Sequence, residues 1–183
     1  RYVGDPANTC RIFNELEVDE LVFLDILASR EKREPNYALL RDISSECFMP
    51  LSYGGGITSV EIAEKVLKIG FEKVIVNTAA LRNPALIAEL GKKIGRQSLI
   101  VAIDVRKGWL GQERCRGLSG RWNSGLQPVT WAQKAQSEGA GEILLTSVDR
   151  EGTWQGFDLE LVTKVVDAVS IPVIARGGAG SIE

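Results

Sequence analysis

Six polar side chains occupy one kind of place in this sequence. Asp25, Asn77, Thr78, Asp104, Thr146 and Asp149 each stand at or just beyond the end of an apolar run. Carboxylates at the exits of buried strands can hold or pass protons at a site cut off from bulk water. Histidine is wholly absent. That excludes His-based triads, His metal sites and His general bases, and leaves acid–base work to Asp, Glu, Lys, Tyr or Cys. Any single strand-end acid, Asp25 included, serves equally well as a helix cap or an ion-pair partner. Asp104 is the stronger candidate, because it follows Leu99-Ile100-Val101-Ala102-Ile103 and a charge there needs a reason. Asp149 has two readings, a hydrogen bond that fixes its loop or a contact to substrate.

The second kind of chemistry is carried by glycines. Met49-Pro50-Leu51-Ser52-Tyr53-Gly54-Gly55-Gly56-Ile57 reads as a short strand running into a glycine turn and a helix. Glycines let the backbone approach a ligand closely, and the N–H groups of such a turn suit a phosphate. One such turn is often mere turn geometry, but this one returns as Ile171-Pro172-Val173-Ile174-Ala175-Arg176-Gly177-Gly178-Ala179-Gly180. The offset from Pro50 to Pro172 is 122 residues, and at that offset Glu20 falls on Glu142, Gly55 on Gly177, Gly56 on Gly178, Ser59 on Ser181 and Glu61 on Glu183. A gapless register points to a duplicated half with two phosphate sites.

The elements that must position these groups alternate. Asp5-Pro6 opens a helix on Ile12, Phe13 and Leu16. Residues 20–26 form a strand, 27–35 a charged loop, 36–47 a helix and 49–53 a strand. Thr58-Ser59-Val60-Glu61 reads as a capping box for a helix ending at Gly70. Strands follow at 73–77, 98–104, 142–148 and 171–175, with helices from Asn83-Pro84, over 128–138 and over 158–169. Residues 105–127, with Trp109, Trp122 and five glycines, read as a long functional loop or small hairpin. Strands apolar on both faces fit a parallel sheet covered by helices. The fold class is α/β. A doubly wound sheet and a (βα)8 TIM barrel both fit, and the half-barrel repeat favours the barrel with its polar strand ends as the catalytic face. Six strands do not close eight, so the expectation is a single domain over 1–183 that is an incomplete barrel, about strands 2 to 7.

Composition narrows the classes further. The chain has 183 residues, 44% apolar and 25% charged, with net charge −2. That gives no footprint for nucleic acid or an anionic membrane. No apolar run reaches membrane-spanning length and no signal peptide is visible. Cys10, Cys47 and Cys115 are scattered without a CxxC pair, which favours reduced thiols and a cytoplasmic location. No metal or cofactor is expected.

Six segments also match one known family in order and spacing. They are Val22-Phe23-Leu24-Asp25-Ile26, Tyr53-Gly54-Gly55-Gly56-Ile57, Asn77-Thr78-Ala79-Ala80, Ala102-Ile103-Asp104, Gly139 through Ser147, and Gly177-Gly178-Ala179-Gly180. The sequence resembles the cyclase subunit of imidazole glycerol phosphate synthase, from histidine biosynthesis. Arg1 to Pro6 and Glu46 to Leu51 are more similar to a paralogous branch associated with surface-polysaccharide gene clusters, where the subunit pair makes an amidino sugar. The resemblance implies a (βα)8 barrel that takes ammonia from a glutaminase partner, as a heterodimer. It also implies a bis-phosphate substrate, phosphoribulosyl-formimino-carboxamide ribotide, converted to imidazole glycerol phosphate and an aminoimidazole carboxamide ribotide.

By resemblance, Asp104 and Glu151 are the catalytic carboxylates, and a further catalytic Asp belongs to a strand upstream. Gly56, Asn77 and Thr78 resemble the first phosphate site, and Gly152, Gly177 and Gly178 parts of the second. Asp25, Gly55, Ser119, Thr146 and Arg176 complete the expected substrate-contacting set. Glu20, Lys73 and Glu142 resemble the charged residues that gate ammonia. Two positions depart from the family: Glu151 stands in place of Asp, and Arg176 in place of a small residue. Both bear on activity and keep two alternatives open, the sugar-modifying paralogue and a non-catalytic phosphate-binding barrel that serves as a partner's platform.

Overall fold

The structure is a computed structural model that describes residues 6–180. The chain separates into two compact units, residues 1–75 and 76–183. In the first, helix α1 (Pro6–Glu15) precedes strand β1 (Leu21–Leu24), the short helix α2 (Ala28–Glu31), α3 (Tyr37–Glu46), β2 (Leu51–Gly54), α4 (Val60–Ile69) and β3 (Lys73–Val76). All three strands pair in parallel, with Leu21 opposite Leu51 and Tyr53 opposite Val74. Leu40, Ile43, Tyr53, Val66 and Val74 form its core.

Local signals set the boundaries. Asn36 caps α3 by accepting from the Leu39 N–H at 3.2 Å. The residue that caps α4 is Ser59, which accepts from Ile62 N–H at 3.4 Å, one position later than the expected capping box. Gly70 ends α4 at φ 123°. The segment expected as a charged loop over 27–35 holds α2, because Asp25 supplies a cap that composition alone does not reveal. The expected cap at Asp5 lies outside the described residues.

The second unit runs α5 (Thr78–Arg82), α6 (Ala85–Ile94), β4 (Leu99–Lys107), β5 (Glu113–Gly117), β6 (Trp122–Asn123), α7 (Pro128–Glu138), β7 (Glu142–Ser147), α8 (Leu159–Val166) and β8 (Val173–Arg176). Strands β4, β7 and β8 pair in parallel over a core that includes Ile87, Leu90, Ile103, Ile143, Leu145 and Leu161. The segment after Asp104 is the hairpin of the two sequence-based readings. β4 runs on past Asp104 and pairs antiparallel with β5, which pairs antiparallel with β6. The hairpin adds two strands to the six expected. The helix α5 was not anticipated, since five residues carry no periodicity to read.

The 122-residue repeat is a structural repeat. In β1–β2, Leu21, Val22, Phe23 and Leu24 face Leu51, Ser52, Tyr53 and Gly54. In β7–β8, Ile143, Leu144, Leu145 and Thr146 face Val173, Ile174, Ala175 and Arg176, the same positions plus 122. The flanking bond recurs too, from Leu21 N–H to Pro50 O at 3.0 Å and from Ile143 N–H to Pro172 O at 2.9 Å.

Candidate functional site

Asp104 is the centre of the polar groups of the second unit. β4 delivers it at the end of a buried apolar run, Leu99 to Ile103. Asn77, which precedes α5, donates from Nδ2 to Asp104 Oδ2 at 3.0 Å. Burial pushes the Asp104 carboxyl above its ordinary range. Thr146 and the Arg176 guanidinium pull it back, and the Glu151 carboxylate pushes it up again. Thr146 Oγ1 lies beside Asp104 yet makes no hydrogen bond of acceptable geometry. Asn77 Oδ1 and Arg116 Nε are buried and without partners as well. Five side-chain polar atoms among the described residues are orphaned in this way, and three of them belong to residues that bond to or neighbour Asp104 in the sheet. Buried polar atoms are normally paired, so such a cluster fits a polar ligand.

One row across the sheet collects these groups. Arg116 on β5 is directly opposite Asp104 on β4, Asp104 is opposite Thr146 on β7, and Thr146 is opposite Arg176 on β8. Residues in register leave the same face of a sheet. Glu151, in the loop after β7, accepts from Arg176 Nη2 at 3.0 Å. The two positions that depart from the family pattern are therefore ion-paired with each other. Next to Glu151, Gly152 turns at φ 72° with open space where a side chain would be. Asp149 takes the loop-fixing role. Its Oδ2 accepts from the Lys107 N–H at 2.8 Å and its Oδ1 from Arg106 Nε at 3.3 Å, which ties the loop to the hairpin.

The glycine turns close on the chain itself. Gly55 and Gly56 have φ of 137° and 69°, Gly177 and Gly178 of 94° and 95°. A Cβ on Gly55 would stand 2.7 Å from the Asp25 carbonyl oxygen, and one on Gly177 would stand 2.6 Å from that of Ser147, the position 122 residues beyond Asp25. Gly56 lies in the same way against the Arg33 carbonyl, and Gly178 against Gly156, whose N–H donates back to Gly178 O at 2.7 Å. Thr78 Oγ1 accepts from Leu118 N–H at 2.9 Å and so pins the β5–β6 turn, where Leu118 and Ser119 both have left-handed φ, 52° and 56°.

In the first unit, Asp25 is engaged by its own chain. Its Oδ1 accepts from Leu27 and Ala28 N–H, both at 3.1 Å, and Arg33 grips the carboxylate with two nitrogens at 2.7 and 3.0 Å. At the other end of the strands, Ser52 Oγ donates to Glu20 Oε1 at 2.6 Å and Lys73 Nζ pairs with Glu20 Oε2 at 3.1 Å. Glu142 belongs to the second unit, at the start of β7 opposite Ile100.

Sequence reading missed Arg33, Ser52 and Arg116. Ser52 had a signal, since it is the lone polar residue in a strand that ends at a glycine turn. Arg33 and Arg116 had none, because each acquires its place from a turn or hairpin register. Among the described residues, no cluster of three acid or thiol side chains is arranged to hold a metal, and no helix is long and apolar enough to cross a membrane.

The sequence profile of the histidine biosynthesis protein family matches residues 1–183. A Pseudomonas aeruginosa protein, provisionally named imidazole glycerol phosphate synthase subunit hisF2, is 50% identical over 182 residues, covering 100% of this chain and 72% of that protein. Imidazole glycerol phosphate synthase subunit HisF of Alkaliphilus metalliredigens is 44% identical over 180 residues, and that of Streptococcus sanguinis 44% over 179 residues. Each alignment covers 98% of this chain and 71% of the relative.

Proposed function

The chain belongs to the histidine biosynthesis protein family and has its (βα)8-barrel fold class, and from that premise we propose that it is the ammonia-using cyclase subunit of an imidazole glycerol phosphate synthase. A glutaminase subunit supplies the ammonia. The substrate is the bis-phosphate formimino ribotide, and the chemistry is attack of ammonia followed by ring closure and cleavage. The observation that carries the reading is the half-buried Asp104 at the end of a buried apolar run, among the unsatisfied polar atoms of Asn77, Thr146 and Arg116.

The roles follow from environment. Burial favours the neutral form of Asp104, which suits it to give a proton to a leaving nitrogen. Glu151, ion-paired with Arg176 in the loop after β7, takes the part of the base. Two carboxyls in different surroundings provide an acid and a base without histidine. Each half's glycine turn offers backbone N–H groups to a phosphate. The family resemblance assigns an ammonia-gating role to Glu20 and Lys73 in the first unit, where Ser52 donates to the Glu20 carboxylate, and to Glu142 in the second.

The test is turnover by the protein with ammonium salt and the formimino ribotide, followed by loss of substrate absorbance. Asp104→Asn is expected to lower kcat on the order of 100-fold or more, with folding intact. No turnover by the wild type, with or without its glutaminase, would overturn the assignment. A second reading, the ammonia-dependent subunit that makes an amidino sugar, is favoured by one observation, the Glu151–Arg176 ion pair. The longer Glu151 side chain and the neighbouring guanidinium change both the reach of the base and the charge of the site. Turnover of an amide-bearing sugar nucleotide to the amidino sugar, in place of the ribotide, identifies that branch.

A further inference from the structure

Arg116 is the group in the second unit that none of the preceding roles employs. It is partly buried, its Nε is sealed from solvent without a partner, and none of the ion pairs among the described residues includes it. Sealing one nitrogen of a guanidinium from water without a partner is costly, and such a group is retained where an acceptor arrives. The Asp104 carboxylate directly across the ladder is not that counter-charge. Asp104 is buried toward its neutral form, and the cation that acts on it is Arg176. Arg176 has committed only one nitrogen, Nη2, to Glu151. The row thus carries a guanidinium at each end, Arg116 and Arg176, with Asp104 and Thr146 between them. Three strand spacings separate the ends, roughly 14 Å of backbone, which two arginine side chains reaching inward can bridge with an anion between them.

We propose that Arg116 is a substrate-binding residue that, with Arg176, grips an anionic group of the substrate over Asp104. The proposal rests on Asp104 marking the catalytic site. The guanidinium fork matches a phosphate ester or a carboxylate equally well. On binding, the anion also competes with Glu151 for Arg176 and frees the Glu151 carboxylate for proton transfer. The ion pair and the anion site are then one device, in which Glu151 is held until substrate arrives.

The test uses the full protein with its glutaminase and three variants, Arg116→Met, Arg116→Lys and Arg176→Met. Titration calorimetry with inorganic phosphate, and separately with acetate, measures anion affinity without turnover and identifies which anion the site prefers. Arg116→Met is expected to weaken binding of the preferred anion and to raise KM on the order of 10- to 100-fold. Arg116→Lys should recover part of the affinity, which a packing role would not show. Unchanged anion affinity and unchanged KM in Arg116→Met, with melting as in the wild type, overturns the proposal. Anion binding that depends on Arg116 in a protein that fails to turn over the ribotide sustains the proposal and overturns only the cyclase assignment. Should Arg116→Met fail to fold, Arg116→Lys and Arg176→Met decide on the same two readouts.

Discussion

Replacing Gly177 with alanine should destabilise the protein by about 2–4 kcal/mol, whereas the same change at Gly152 should cost about 1 kcal/mol or less. Both glycines have positive φ, 94° and 72°. An L-residue in left-handed backbone costs about 1–2 kcal/mol at either position. Against this, alanine stiffens the unfolded chain and returns about 0.4–1 kcal/mol. The two sites differ in what the new methyl meets. At Gly152 nothing lies within 4 Å. At Gly177 the Cβ would sit 2.6 Å from the Ser147 carbonyl oxygen and 3.4 Å from Ser147 C and N. That oxygen belongs to the end of β7 and cannot swing away like a side chain, so β7 and β8 must part, at about 1–3 kcal/mol for an overpacked contact. For a protein of this size each kcal/mol moves the melting temperature by about 2–4 °C. Gly177→Ala should therefore melt about 4–16 °C lower, and Gly55→Ala, whose Cβ meets the Asp25 carbonyl at 2.7 Å, should behave alike. The assay is thermal unfolding by circular dichroism, without and with added phosphate. If Gly177→Ala melts like the wild type without phosphate and differs only with it, the glycine exists for the ligand and the packing explanation fails.

Two further outcomes follow from the same structure. Burial raises the Asp104 pKa, so the folded state binds its proton more tightly than the unfolded one and wild-type stability falls as pH rises from about 4 through the folded-state value. Asp104→Asn lacks this loss and keeps an acceptor for Asn77, so it should melt above the wild type at pH 7–8 and level with it below about pH 4; an equal gap at all pH values refutes the burial cause. Gln136 Oε1 accepts from Ser170 N–H at 2.7 Å, Ile171 N–H at 3.2 Å and Ser170 Oγ at 3.2 Å, tying α7 to the segment before β8. Gln136→Ala should cost about 1–2 kcal/mol in urea unfolding, and a change under about 0.3 kcal/mol would show that water replaces the bonds.

The sequence alone determined the elements whose cause is local. Alternating apolar strands and helices and the glycine turns depend on neighbours a few residues away, and the 122-residue offset is legible because both halves solve one packing problem with the same residues. The offset even anticipates strand register, since glycine and proline fix where each pair of strands begins. Tertiary structure decided what depends on distant partners. Asp25 could be read as an acid at a strand end, but only the fold brings Arg33 onto it. Glu151 and Arg176 are separate departures in the sequence and a single ion pair in space. Arg116 lies in a segment without periodicity, and hairpin register alone sets it opposite Asp104. Proton affinity at Asp104 was equally out of reach, because desolvation is a property of the surrounding atoms and not of the residue type.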